Sequence, residues 1–255
     1  MNRRTRWVVM AAVVVLAAVV ATGWLGSPGE GIPVLTYHHV GDGPDWLYVR
    51  PVDFERQLVY LRDNGYTAIS VMELARGLSG QATLPQRPVV ITFDDGYEDN
   101  YTAAFPILMR QRMRGTFFVV TGKMEQPGYL KWRQAGEMIG GGMEIGSHTV
   151  HHYTLNEINL KELERELLAS RIMLENNLQG SAPIFANPFG ETAPAVVELL
   201  GRTGYQAACS SVVGLNRSGE NLYMIRRLSV PASRFGLWEF RARLWWLNLK
   251  GRLEV

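Results

Sequence analysis

From Ile32 onward the chain alternates short apolar runs with longer amphipathic stretches. The apolar runs predict strands over 32–37, 66–71, 89–93, 116–120, 143–147, 184–186, 206–210 and 224–230. Between them, residues 51–64 read as a helix, with Pro51 at its start and Gly65 as its stop. Residues 156–178 read as another. Leu160, Leu163, Leu167, Leu174 and Leu178 recur there at roughly helical spacing, and Glu164, Arg165 and Glu166 are assigned to its solvated face. Residues 97–112 are also amphipathic, but Pro106 predicts a break or kink. Strand–helix alternation over this length predicts an α/β fold on a parallel sheet, either a closed barrel or an open doubly wound sheet.

Two stretches fall outside the alternation. Residues 7–25 carry no charge and follow Arg3, Arg4 and Arg6. As a helix they span ~28 Å, against a hydrocarbon core of ~30 Å. Basic residues before such a span predict that 1–6 stay in the cytoplasm and that the rest of the chain lies outside, held by an uncleaved signal-anchor in the cell membrane. Cleavage near Ala21, giving a secreted protein, is the alternative. Residues 26–31 read as a linker and 32–234 as one domain. Residues 235–255 form an aromatic, basic, amphipathic tail, expected to pack back on the domain, with a position on a membrane surface as the alternative.

Composition narrows the class. With 255 residues, 47% of them hydrophobic, the chain can build one sizeable core. A net charge of +2, without an Arg/Lys stripe interleaved with aromatics, argues against a nucleic-acid partner. Cys209 is the single cysteine, which excludes an internal disulfide; it is expected to act as a small buried hydrophobe.

Chemistry concentrates in a few places. The strand at 89–93 runs into Asp94-Asp95-Gly96, and all five histidines (His38, His39, His148, His151 and His152) fall in two short clusters, each after an apolar run. One carboxylate with two imidazoles is a ligand set for a catalytic divalent metal that leaves positions open for water. The second carboxylate is then free to act as a base, which points to metal-assisted hydrolysis.

Thr92-Phe93-Asp94-Asp95-Gly96 and His148-Thr149-Val150-His151-His152 resemble the first two motifs of the polysaccharide deacetylase family (the NodB-homology domain, carbohydrate esterase family 4). The resemblance implies removal of acetyl groups from a sugar polymer with one divalent metal, zinc first, with cobalt, nickel or iron as alternatives. It implies Asp94 as general base, and Asp95, His148 and His152 as metal ligands. Thr149 matches a loop-orienting position and His151 a variable one. Phe185-Ala186-Asn187-Pro188-Phe189-Gly190 resembles the third motif, with the Phe189 N–H at the oxyanion-donor position and Pro188 beside it in the groove wall. Ala186 stands where the family often has the arginine that positions the base; Arg226 or Arg227 is the expected substitute.

The family's late acid histidine is absent, because no histidine follows His152. Pro33-Val34-Leu35-Thr36-Tyr37-His38-His39-Val40 instead resembles the start of the poly-β-1,6-N-acetylglucosamine deacetylase subgroup, whose motif order is permuted. That implies His38 as the acid, ahead of His39. Trp132 and Tyr97 are candidate groove aromatics. The resemblance further implies a distorted (β/α) barrel of about seven parallel strands and an acetylated polysaccharide as partner. Peptidoglycan or a lipid-linked sugar as substrate, and an inactive membrane-tethered glycan-binding relic, remain alternatives. The sequence leaves oligomeric state open.

Overall fold

A computed structural model describes residues 31–253 apart from Glu191. The expected anchor at 7–25 and all but the last residue of the expected linker lie outside the described residues. Among the described residues no helix is long and apolar enough to cross a membrane.

The elements follow one another as β1 (Val34–Tyr37), β2 (His39–Val40), β3 (Tyr48–Val49), α1 (Pro51–Asp63), β4 (Thr67–Ile69), α2 (Val71–Leu78), β5 (Pro88–Phe93), α3 (Phe105–Gln111), β6 (Thr116–Val119), α4 (Trp132–Gly140), β7 (Glu144–Ser147), α5 (Leu160–Asn177), β8 (Ile184–Ala186), α6 (Pro194–Arg202), β9 (Ala207–Cys209), β10 (Leu228–Ser229) and α7 (Leu237–Leu253). The main sheet is parallel throughout and runs β10-β1-β5-β6-β7-β8-β9, with β4 added to β5. It curls so far that its ends approach each other. The Ile225 N–H donates to the Ala208 carbonyl at 2.9 Å, while three residues later Leu228 pairs with Leu35 of β1. The fold is therefore a strongly curved sheet of seven successive parallel strands, wrapped by helices.

Each predicted strand run overlaps an observed strand: 184–186 coincides with β8, β5 begins one residue before the run 89–93, and the others are trimmed at one or both ends. The strands are apolar on both faces because the sheet is buried on both, as parallel sheets are. One set (Leu35, Tyr37, Ile91, Phe93, Phe117, Ile145) packs in the largest core cluster, and the alternate positions Val34, Val90, Phe118, Ile184 and Ala207 pack in a second.

Helix boundaries depart from the sequence reading where caps decide them. The strand expected to run to Val71 stops at Ile69, because Ser70 caps α2: its hydroxyl accepts from the Glu73 N–H while Glu73 reaches back to the Ser70 N–H. Residues 97–112 divide into a wide turn of π-helix at Asn100–Ala104 and α3, with Pro106 in the first turn where its missing N–H costs nothing. The tail is α7, whose Phe240, Leu244, Leu247 and Gly251 are buried.

Candidate metal and acid–base site

Parallel strands bring their C-terminal ends to one rim, and the candidate residues gather there in a cleft of about 610 Å³. His38 follows β1, Asp94 and Asp95 follow β5, His148 and His152 follow β7, Asn187 and Phe189 follow β8, and Arg227 precedes β10.

Asp95, His148 and His152 present ligand atoms that all lie within 4.8 Å of one another. Asp95 Oδ1 is 3.1 Å from His152 Nε2 and 3.5 Å from His148 Nε2. His148 Nδ1 donates to the Ala186 carbonyl at 2.7 Å, which leaves Nε2 unprotonated and turned toward the carboxylate. The donor set, two neutral imidazoles with one carboxylate, fits a divalent ion. Burial works to raise the Asp95 pKa, but the hydrogen bond from His152 and the electrostatic pull of the neighbouring His148, His152 and His38 outweigh it and hold the carboxyl well below its usual range. Burial pushes the His148 ring down, toward the neutral form a ligand needs, against the pull of Asp94 and Asp95.

Asp94 is set apart by its partner. Arg227 grips it with both ends of its guanidinium, Nη1 to Oδ1 and Nη2 to Oδ2, each at 2.8 Å. Such a fork is rigid and charge-assisted. Burial works to raise the Asp94 pKa, yet Arg227 and His148 outweigh it and keep the group ionised. Of the two expected arginines, only Arg227 reaches the base. Arg226 instead pairs with Glu220 at 2.9 Å and lies against Gly214.

Backbone strain concentrates here. Asp95, Thr149, His152 and Phe189 all have left-handed φ (73°, 68°, 62° and 55°), as do only two other described non-glycine residues. Such strain persists only where surroundings over-determine it. At the histidine loop the surroundings are visible. The Thr149 hydroxyl accepts from the His152 N–H, and the buried Glu166 of α5 accepts from the N–H groups of Val150 and His151 at 3.0 and 2.9 Å and from His151 Nδ1 at 2.5 Å. Glu166 was expected on a solvated face; it is 2% exposed because the loop folds over it. Gly190 turns the third motif with φ 70°, and a Cβ there would meet the Ser211 side chain at 2.0 Å.

The remaining candidates divide. His38 and Tyr97 line the cleft, with Phe189 beside them and its ring edge-on to His152 at 4.8 Å. Burial and the nearby Asp95 carboxylate raise the Tyr97 pKa, and its ring stacks on His39 at 3.6 Å. Pro188 is buried behind the wall. Trp132 is corrected: it opens α4, where Glu125 accepts from its N–H, packs half-buried on the main core and is not among the residues that line the cleft. His39 leaves the cleft too, paired with Asp99 at 2.6 Å between the rings of Tyr48 and Tyr97. Sequence reasoning missed Trp46, Lys123 and Asn187 as cleft residues. Asn187 Oδ1 is a buried acceptor without a hydrogen-bond partner among the described residues. Trp46 was discoverable, since it follows the turn-rich Gly41-Asp42-Gly43-Pro44 directly after the acid candidate.

Residues 81–208 match the polysaccharide deacetylase family. Among solved structures, IcaB from Ammonifex degensii is 27% identical, with a TM-score of 0.77 over 86% of this chain and 98% of that one. The Streptococcus pyogenes deacetylase PplD, solved in complex with acetate, is 27% identical, with a TM-score of 0.75 over 80% of this chain and 94% of that one. The poly-β-1,6-N-acetyl-D-glucosamine N-deacetylase of Escherichia coli (strain K12) is 24% identical across 76% of this chain, which spans 36% of that protein's length.

Proposed function

The chain belongs to the polysaccharide deacetylase family, and from that membership we propose that it hydrolyses N-acetyl groups on N-acetylglucosamine units of an extracytoplasmic polysaccharide, with one divalent metal as cofactor. The observation that carries this reading is the pairing of a fork-held, ionised Asp94 with the Asp95–His148–His152 cluster in one cleft that also receives His38.

Asp95, His148 and His152 would hold the ion, which when bound polarises the acetyl carbonyl and lowers the pKa of water toward ~7. Asp94 accepts the proton that water loses as it attacks the carbonyl carbon. Arg227 keeps both oxygens of Asp94 fixed, so the base loses no orientation between turnovers. The Phe189 N–H is the candidate donor to the developing oxyanion, a contact of a kind that contributes ~2.7–4 kcal/mol. As the C–N bond breaks, His38 gives a proton to the departing amine, which stays on the polymer as a glucosamine unit while acetate is released. Two separate proton-transfer groups are needed because water loses a proton and nitrogen gains one.

A β-1,6-linked polymer is the first candidate substrate, supported by the likeness to the Escherichia coli enzyme and by a histidine placed after β1 rather than late in the chain. The test is acetate release by the full chain from β-1,6-linked N-acetylglucosamine oligomers, metal-stripped and then with zinc or cobalt restored. Release is expected only with metal, and Asp94→Asn is expected to lower it ~10²–10⁴-fold. Unchanged release from Asp94→Asn would overturn the assigned base. Release from peptidoglycan or chitin oligomers alone would move the substrate, and silence on every glycan would leave a binding protein.

A further inference from the structure

Helix α7 is apolar on two opposite faces. Phe240, Leu244, Leu247 and Gly251 recur every three or four residues and dock on the domain. Half a turn away, at 100° per residue, Trp238, Ala242, Trp245, Leu249 and Leu253 form a second stripe that faces outward. Trp238, Trp245 and Leu253 are 72, 46 and 74% exposed, and Trp246 at the edge of the stripe is 47% exposed. Arg241 and Arg252 fall along one side of this stripe, Arg243 and Lys250 along the other. The Arg241 guanidinium lies over the Trp238 ring at 4.8 Å and the Lys250 ammonium over Trp246 at 5.8 Å. The one acid of α7, Glu239, is tied to Ser233 and Arg243.

We propose that this outward face of α7 lies on an anionic lipid surface. An outward ridge of tryptophans flanked by cations suits a bilayer boundary, where indoles sit at headgroup depth and Lys and Arg reach the phosphates. Water alone offers the ridge nothing, and a contiguous exposed apolar patch of this kind marks an interaction surface.

The position of α7 selects the membrane among the available occupants. Gly31, where the described fold begins, packs against Leu215, Asn216 and Arg217: a Cβ on it would meet Leu215 at 2.8 Å and Arg217 at 3.3 Å. Gly251, near the end of α7, packs on the same two side chains, with a Cβ meeting Leu215 at 2.4 Å and Arg217 at 3.5 Å. The end of α7 and the start of the domain are thus neighbours. Only five residues separate Gly31 from the uncharged run 7–25, six chain steps with a reach of about 20 Å at full extension. A membrane holding that run would have α7 beside it. The groove under Trp246, Ala242 and Arg243 also shares Val213 and the exposed Ser229 with the cleft. The docked face would therefore border the cleft, so that the polymer is met close to the lipid.

The test uses the full chain in vesicles of phosphatidylcholine with about 30% phosphatidylglycerol, a composition that gives the bilayer a negative surface. A nitroxide is attached through Ala242→Cys on the outward stripe and, as a control, through Gln81→Cys after α2; native Cys209 is buried and stays unlabelled. Collision with oxygen, which partitions into lipid, is compared with collision with a water-soluble nickel chelate. The expected oxygen-to-nickel ratio is at least ~5-fold higher at 242 than at 81, and Arg241→Gln with Arg243→Gln should lower it about twofold. Equal ratios at the two sites would overturn the proposal. So would spin–spin broadening at 242 that disappears on dilution with unlabelled protein, which would assign the stripe to a contact between copies of this chain.

Discussion

The two histidine clusters are built on the same plan and held with different firmness. In each, one histidine is tied to a carboxylate away from the cleft, and its neighbours are left for chemistry. His151 pairs with Glu166 and His39 with Asp99. After β7, however, the carboxylate is the buried partner: Glu166 is 2% exposed beneath an exposed His151 and also holds two backbone N–H groups of the loop. After β1 the order is reversed, with Asp99 23% exposed and His39 the more buried partner, and His38 is half-buried beside the exposed Trp46, ring centroids 6.2 Å apart. Ligands must hold one geometry throughout turnover, whereas a proton donor must meet an incoming sugar. The difference teaches that, under the proposed function, burial of the anchoring carboxylate rather than the histidine spacing would separate a rigid ligand loop from an adaptable acid.

The comparison breaks most visibly if the wrong member of the first cluster carries the proton. His38→Gln should lower kcat for N-acetyl hydrolysis ~10²–10⁴-fold, while His39→Gln should cost less than about tenfold, because its ring is spent on Asp99 and two tyrosines. Steady-state kinetics on one oligosaccharide decide it, and the reverse order would exchange the two roles. A smaller effect sharpens the contrast in firmness. Glu166→Gln removes a buried charge-assisted acceptor and should cost ~1.5–3 kcal/mol of unfolding free energy. Asp99→Asn, at a partly exposed pair, should cost less than ~1 kcal/mol. Urea titration of both variants measures it, and equal losses would erase the distinction.

Much of this arrangement was legible beforehand, for identifiable reasons. Strands buried on both faces write themselves as apolar runs, so 89–93 and 143–147 could be read directly, and the motifs at their ends came with them. Asp95, His148 and His152 are near one another in space because β5 and β7, which flank β6 in one parallel sheet, end at the same rim. The choice between Arg226 and Arg227 was not legible: the two arginines are consecutive, and only the local strand direction decides that Arg227 faces Asp94 while Arg226 meets Glu220. Glu166 was misread because a charged residue in a charged run carries no sign of the loop that will fold over it. Trp132 was misread because an aromatic at a helix start carries no sign of whether its ring meets a groove or, as here, packs on the core.

The base of β7, the strand that precedes the candidate ligands, offers a finer test. Glu144 opens β7, and its carboxyl sits at the N-terminus of α2, accepting from the Val71 N–H at 2.9 Å and from the Thr116 hydroxyl at 2.9 Å. Burial of the carboxyl raises its pKa, and the hydrogen bonds from Thr116, Ser70 and the α2 backbone only partly offset this. A carboxyl raised in the folded state binds its proton more tightly there than in the unfolded chain. Between the unfolded and folded pKa values the folded state therefore holds more protons, and this group's contribution to stability declines as pH rises through that window. Asp94 and Asp95, both lowered, act in the opposite direction and lose their contribution as pH falls. Glu144→Gln should remove only the first trend. Measured by urea unfolding from mildly acidic to neutral pH, the stability of the wild-type chain relative to this variant should fall as pH increases. A difference independent of pH would mean that the Glu144 carboxyl titrates alike in both states, and that the α2 N-terminus rather than burial governs the foot of the ligand strand.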